Sequence, residues 1–168
     1  FLLGSGTGHG AIVEALIQAG ADVDKAADSN GVTALIMASQ MGHGATMEAL
    51  VQAGADIDKA TNKGDTALMW ASLKGHGAIV EALLQAGADA DKADFNDRTP
   101  LIWASGKGHA DIVEALIQAR ADIDRATNNG GTALMMASER GHAAIVEALL
   151  QAGADIDKAN NVGGTALM

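Results

Sequence analysis

A period of 33 residues constrains this chain more than any other feature. Threonine recurs at this interval, and the segments that begin with it read TALIMAS, TALMWAS, TPLIWAS, TALMMAS and TALM. A Gly-His pair recurs in the same frame, and the segment AIVEALLQAGADIDKA recurs with few changes. Self-similarity with a period of about 20–50 residues is typical of proteins built from stacked supersecondary units. We therefore treat the repeat as the unit of folding.

Counting each repeat from its threonine divides the chain into copies. The complete copies are residues 33–65, 66–98, 99–131 and 132–164. Residues 1–32 read as a copy that lacks its first two positions, and residues 165–168 as the start of a further copy. We expect residues 1–168 to form a single repeat array. Because the chain lacks an initiating Met and a polar capping repeat, we expect it to be a fragment of a longer protein.

Each copy carries the pattern of two short helices. On a helical wheel of the 66–98 copy, Leu68, Ala71 and Ser72 share one side of the first helix, and positions 5, 8 and 9 lie opposite. The apolar residues of the second helix span an arc of roughly 200°, which predicts burial on three sides. Threonine at position 1 is a predicted N-cap, and glycines at positions 10 and 22 are predicted left-handed helix ends. Helices this short need neighbouring copies for stability.

The repeat unit, TxL..A…GH..IVEALLQAGAD.DKA..N.G, resembles the ankyrin repeat over the whole chain. The period, the Thr-Leu-Ala frame and the Gly-His turn match together, which makes the resemblance specific. It implies an all-α repeat fold, an ankyrin solenoid of stacked helix-turn-helix units with projecting hairpin loops. It also implies that a protein partner binds on the concave helix face and the loop tips.

The opening segment FLLGSGTGHG permits a second interpretation, a phosphate-binding loop between a strand and a helix. Such loops need the spacing G-x-G-x-x-G or G-x-x-x-x-G-K-[ST]. Neither spacing occurs, and no lysine follows the glycines. Aligned with the other copies, Gly8 and His9 are the Gly-His turn of the incomplete first copy.

Recurring histidines and aspartate pairs raise the question of metal binding or catalysis. The histidines are His9, His43, His76, His109 and His142, one per repeat. Stacked helices lie about 8–10 Å apart, whereas zinc ligands lie about 2 Å from the ion, so we interpret the histidines as structural turn residues.

The aspartate pairs are Asp56/Asp58, Asp89/Asp91, Asp122/Asp124 and Asp155/Asp157. They fail the EF-hand spacing and are interpreted as solvated hairpin charges. We predict no enzyme activity, no catalytic residue, no metal and no cofactor.

Composition narrows the class of partner. The net charge is −10, from 21 acidic and 11 basic residues, so nucleic acid is an unfavourable partner. No apolar run approaches the roughly 18 residues of a membrane span, so we expect no membrane insertion. The absence of cysteine suits an intracellular protein, cytoplasmic or nuclear. We expect the array to be monomeric.

Positions that differ between copies predict the binding surface, because a scaffold repeats its residues and a docking surface does not. These positions lie opposite the packed side of the first helix and at the loop tips. The predicted protein-binding residues are Met37, Met41, Trp70, Leu73, Lys74, Phe95, Arg98, Trp103, Lys107, Met136 and Arg140. The basic members favour a partner with an acidic margin.

Two questions stay open at the level of the sequence. Trp70 and Trp103 either anchor a partner or fold down over gaps left by small alanine and serine residues. The chain is interpreted as a protein-protein interaction scaffold, and the alternative is a structural spacer or regulatory array attached to an enzyme or channel domain absent from this fragment.

Overall fold

The computed structural model describes residues 10–168. The opening glycine-rich segment lies outside them, together with the predictions made for it, including the turn histidine His9. Within the described range there are nine α-helices, one isolated antiparallel bridge between Ala126 and Thr132, and no strand. The prediction of an all-α repeat fold is confirmed. The chain divides into two compact units, Phe1–Asp89 and Ala90–Met168, which are called unit 1 and unit 2.

Unit 1 contains two complete helix pairs preceded by one further helix. Its helices are α1 (Gly10–Gln18), α2 (Ala34–Met41), α3 (Gly44–Gln52), α4 (Ala67–Lys74) and α5 (Gly77–Gln85). The first helices of consecutive copies, α2 and α4, pack on each other. The second helices also pack in sequence, α1 on α3 and α3 on α5. Equivalent segments of successive copies are therefore neighbours in space, as the repeat predicts.

Unit 2 repeats this arrangement with two helix pairs. Its helices are α6 (Pro100–Lys107), α7 (Ala110–Gln118), α8 (Ala133–Glu139) and α9 (Ala143–Gln151). The first helices, α6 and α8, pack together, and the second helices, α7 and α9, do the same. Each first helix also packs on the second helix of its own copy.

Threonine and glycine set the helix bounds in the predicted way. Thr66 has an extended backbone, and its hydroxyl accepts a hydrogen bond of 3.3 Å from the Met69 N–H. The same cap begins α2, α6 and α8. Gly75 ends α4 with φ 80°, in the left-handed region that favours glycine. At the end of α7, Arg120 adopts φ 64° where Gly87 has φ 92° after α5.

Burial agrees with the wheel of the first helix and corrects that of the second. Leu68, Ala71 and Ser72 are buried in α4. In α5, only Ile79, Val80 and Leu83 are fully buried, whereas the apolar residues beside them keep contact with water. The predicted 200° arc was too wide, because a single stripe of α5 carries the packing and alanine and leucine on its flanks stay partly solvated.

The loops between copies are hairpin turns closed by a backbone hydrogen bond. In unit 1 the Thr61 N–H donates to the Asp65 carbonyl, and in unit 2 the Asp94 N–H donates to the Arg98 carbonyl. The first loop carries one extra residue, and its closing bond runs from Ala27 to Val32. The hairpins thereby hold the residue before each threonine close to the start of the next helix.

Successive hairpins are joined by aspartate carboxylates. In each joint, a carboxylate of one loop accepts a hydrogen bond from the backbone N–H of an aspartate in the next loop, at 2.8–3.1 Å. The acceptor and donor residues are Asp24 and Asp56, Asp58 and Asp89, Asp91 and Asp122, and Asp124 and Asp155. In three of the four recurring aspartate pairs the second carboxylate, that of Asp58, Asp91 or Asp124, is thus more than a solvated charge, since it connects two copies.

Candidate functional site

An open cavity of about 510 Å³ lies in unit 2. Five of the predicted binding residues line it: Arg98, Trp103, Lys107, Met136 and Arg140. Arg98 comes from the end of a hairpin, Trp103 and Lys107 from α6, and Met136 from the neighbouring first helix, α8, whose C-cap is Arg140. Their convergence follows from the packing of α6 on α8, which brings equivalent positions of two copies together.

Trp103 is held at this cavity by a hairpin ion pair. The Arg98 guanidinium lies over the indole, with Cζ 4.1 Å from the ring centroid. Arg98 Nε donates to Asp94 Oδ2 at 2.7 Å, and a second guanidinium nitrogen lies 2.6 Å from the same oxygen. The Asp94 side chain is buried and also accepts hydrogen bonds from the backbone N–H groups of Asn96 and Arg98. A cation over an aromatic face is stabilising, so this pair fixes the position of the half-buried ring.

Two glycines leave the cavity open. Gly106 lies inside α6, where a Cβ atom would meet Met136 Cβ at 3.7 Å, an ordinary contact. The position equivalent to Gly106 in the 66–98 copy is Leu73. Gly131, before Thr132, is more confined, since a Cβ there would lie 3.2 Å from the Met136 methyl. The missing side chain at Gly106 therefore accounts for space beside Trp103.

The charge at the rim of the cavity is positive. Lys107 and Arg140 are exposed, and within residues 10–168 neither forms an ion pair. The side chains that line the cavity include no carboxylate. Arg98 is neutralised by Asp94, so Lys107 and Arg140 supply the net charge.

The other predicted residues lie outside this cavity. Met37 and Met41 are on α2, the first half-buried and the second 51 % exposed. Trp70, Leu73 and Lys74 are on α4, where the Lys74 amine lies 6.0 Å from the Trp70 ring centroid. Trp70 is half-buried, as Trp103 is. These five residues all belong to first helices of unit 1.

Phe95 stands on a hairpin tip of unit 2 and does not line the cavity. Its side chain is 73 % exposed. The other complete copies carry asparagine at this position, and the Asn128 amide donates to the Phe95 carbonyl at 3.0 Å. The Asn161 amide makes the same bond to the next carbonyl in the series, that of Asn128. A phenyl ring cannot donate such a bond, which leaves Phe95 as an exposed apolar side chain.

The predicted binding residues did not include the hairpin residues and the two α6 residues that complete the cavity. The lining residues absent from the prediction are Asn96, Ile102, Gly106, Thr127, Asn128, Asn129, Gly131 and Asn160. Asparagine recurs in these loops, at residues 62, 128 and 161 among others. The polar Asn-Asn segment at residues 128–129 was the available signal, because exposed amides beside a variable helix face offer hydrogen bonds to a ligand.

The turn histidines take part in packing between copies. In unit 1, His76 Nε2 lies 3.2 Å from the Gln40 carbonyl, and a Cβ at Gly42 would fall 2.8 Å from the His76 ring. His142 stands in the same relation to Gly108 in unit 2. In the described part of the chain, no three histidine or acidic side chains converge as metal ligands would.

Across residues 10–168, every helix is too short to span a lipid bilayer.

A comparison with protein families finds one that fits this geometry. The model for ankyrin repeats (three copies) matches residues 3–94 and, separately, residues 87–160. The two matches together span nearly the whole chain. No curated protein matches it.

Proposed function

The chain belongs to the ankyrin repeat family, whose members are generally protein-protein interaction modules, and on that premise we propose that it is a non-enzymatic scaffold for a protein partner. The partner binds on the first-helix faces and the hairpin tips. The docking residues are those predicted from the variable positions, with Trp70 and Trp103 as anchors. An intracellular location, cytoplasmic or nuclear, is part of the same proposal.

The cavity of unit 2 is the observation that supports this function best. Trp103 and Met136 give it apolar walls, and polar and basic side chains surround them. Tryptophan is a frequent energetic centre of protein interfaces, and methionine adapts to irregular partner surfaces. A volume of about 510 Å³ is large enough to admit a bulky side chain of a partner.

Exposed apolar side chains elsewhere extend the proposed surface. Met41 and Phe95 are both more than half exposed, and their burial by a partner would be favourable. Met41 belongs to a first helix and Phe95 to a hairpin tip, the two kinds of segment proposed to dock.

The experiment is quantitative capture of partners by tagged chain from cells of the source organism. Trp70→Ala with Trp103→Ala should abolish capture of specific partners while the helical circular dichroism signal is kept. The control is Glu81→Ala with Glu114→Ala, which changes two exposed residues on second helices and should leave capture intact. If the tryptophan variant retains the partners of the wild type, docking through these rings is wrong. If the wild type captures nothing above background, the spacer alternative replaces this proposal.

A further inference from the structure

The rim of the unit 2 cavity is positively charged, whereas the chain as a whole is negatively charged. The chain carries a net charge of −10, yet the charged side chains that line the cavity are all basic. Asp94 offsets Arg98, whereas Lys107 and Arg140 have no carboxylate partner among the described residues. Two uncompensated cations on one small surface favour an anionic ligand.

The interior of the cavity is suited to an apolar group. The indole of Trp103 and the thioether chain of Met136 border the space that Gly106 leaves empty. Glycine is less favourable than alanine inside a helix, and here it opens the space beside Trp103. Asn96 and Asn129 are exposed at the edge, where their amides can bond to a peptide backbone.

Resting on the proposed function, we propose that this cavity binds an acidic peptide segment of the partner protein. A large apolar side chain of the segment enters the space beside Gly106. Aspartate or glutamate residues on either side of it pair with Lys107 and Arg140. Arg98 is a positioning residue, since it holds Trp103 while its own charge is matched by Asp94. A nucleic acid would meet the same cations, but it carries a charge on every nucleotide, so the acidic remainder of the chain repels it more strongly than a short peptide with a few carboxylates.

The first experiment measures peptide affinity for the full 168-residue chain. The probes are fluorescent nine-residue peptides with blocked ends, a central leucine, and flanks of glutamate, glutamine or lysine, together with a glutamate-flanked peptide with central alanine. The glutamate–leucine peptide should bind about tenfold more tightly than its glutamine counterpart, since two exposed ion pairs contribute modestly each. That advantage should shrink at high salt, and the alanine peptide should bind more weakly.

Variants of the chain locate the binding. Gly106→Leu places in the cavity the side chain that Leu73 carries in the preceding copy, and should weaken the leucine peptides at least about tenfold. Lys107→Glu with Arg140→Glu should reverse the preference, so that the lysine-flanked peptide binds best. The control is Lys25→Glu with Lys63→Glu, which makes the same change in net charge at exposed positions of unit 1 and should keep the original order.

Several results would overturn the inference. They are equal affinity for glutamate and glutamine flanks, unchanged affinity in Gly106→Leu, tighter binding of a single-stranded oligonucleotide than of any peptide, or binding of no peptide. If Gly106→Leu does not fold, the peptide preference of the variant with Lys107→Glu and Arg140→Glu decides whether the cavity binds the acidic peptide. The proposed function fails on a different result, when the wild-type chain captures no partner. It survives if partners bind through Trp70 and Trp103 whether or not those partners are acidic.

Discussion

Trp70 in unit 1 and Trp103 in unit 2 occupy the same repeat position but have different surroundings. Arg98 lies over the Trp103 ring at 4.1 Å from its centroid, whereas the cation nearest the Trp70 ring is Lys74 at 6.0 Å. Both rings are half-buried. The same scaffold position thus gives an indole fixed by a hairpin in one unit and an indole without that support in the other.

Two hairpin positions account for the different surroundings of Trp70 and Trp103. In unit 1 they are Thr61 and Asp65, joined by a hydroxyl-to-carboxylate bond of 3.4 Å at the limit of useful length. In unit 2 they are Asp94 and Arg98, joined by an ion pair. Substituting these two residues changes the sign of the charge before the helix and supplies a guanidinium that reaches the ring. Local loop chemistry therefore decides the surroundings of a tryptophan that occupies the same helix position in two copies.

The two units also differ at one buried position of their second helices. Thr46 of α3 is buried, and its hydroxyl has no hydrogen-bond partner among the described residues. The equivalent residue of α7, Ile112, is fully buried and apolar. A buried hydroxyl without a partner is destabilising. Unit 1 carries a defect at a position where unit 2 is well packed.

The largest expected effect comes from exchanging these two residues. Ile112→Thr should lower the free energy of unfolding by about 2–3 kcal/mol, because it buries a hydroxyl and removes apolar volume. Thr46→Ile should raise it by about 1–2 kcal/mol. Urea unfolding followed by circular dichroism measures both. Effects of the same sign in the two variants would contradict the difference in packing.

Removing the guanidinium tests the comparison of the tryptophans. Arg98→Ala should lower stability by about 1–2 kcal/mol, since the buried Asp94 keeps only its backbone donors and the Arg98 side chain is partly exposed. The matched variant, Asp65→Ala in unit 1, should change stability by less than about 0.5 kcal/mol. Urea midpoints give both values. Equal losses would mean that the ion pair adds nothing beyond the turn.

Arg120 permits a third comparison, between the ends of α7 and α5. Its φ of 64° is in the region where a side chain is strained, and Gly87 has φ 92° at the equivalent position. Arg120→Gly should stabilise the protein by about 1 kcal/mol. Thermal unfolding at fixed pH provides the measurement, with the exposed Arg140→Gly as control. An unchanged midpoint would show that the strain is relieved elsewhere.

The smallest expected effect concerns the cavity itself. Gly106→Ala should raise stability by about 0.5–1 kcal/mol, because alanine favours a helix interior and its Cβ meets no closer atom than Met136 Cβ at 3.7 Å. Leu73→Ala, at the same position in unit 1, should lower it because the half-buried leucine loses contacts. Chemical denaturation measures the change in the free energy of unfolding for each variant. Changes of opposite sign would support the difference between Gly106 and Leu73, and a loss of stability in both variants would contradict it.

Spacing in the sequence was sufficient for features that depend on one copy. The caps at Thr66 and Gly75 and the buried side of α4 follow from turn chemistry and helical periodicity, and the structure agrees with them. The wheel also separated the variable positions from the packed ones, although their role in binding stays a prediction.

Features that join different segments could not be read from spacing. The burial of Asp94 and the placement of Arg98 over Trp103 depend on how a hairpin turns back toward the following helix. The hairpin asparagines at the cavity and the carboxylate joints between loops depend on the distance between copies in space. None of these distances is encoded in the period, which fixes only which residues are equivalent.

The joints between hairpins have a consequence for how such a chain can change in evolution. Each joint uses a side-chain acceptor from one loop and a main-chain donor from the next, as between Asp58 and Asp89. Any amino acid except proline supplies that donor. A genetic duplication or deletion of 33 codons would therefore leave every remaining loop with a matching neighbour. The joint between Asp24 and Asp56, which spans one residue more than the others, still forms. The array can grow or shrink by whole copies without new contacts having to arise.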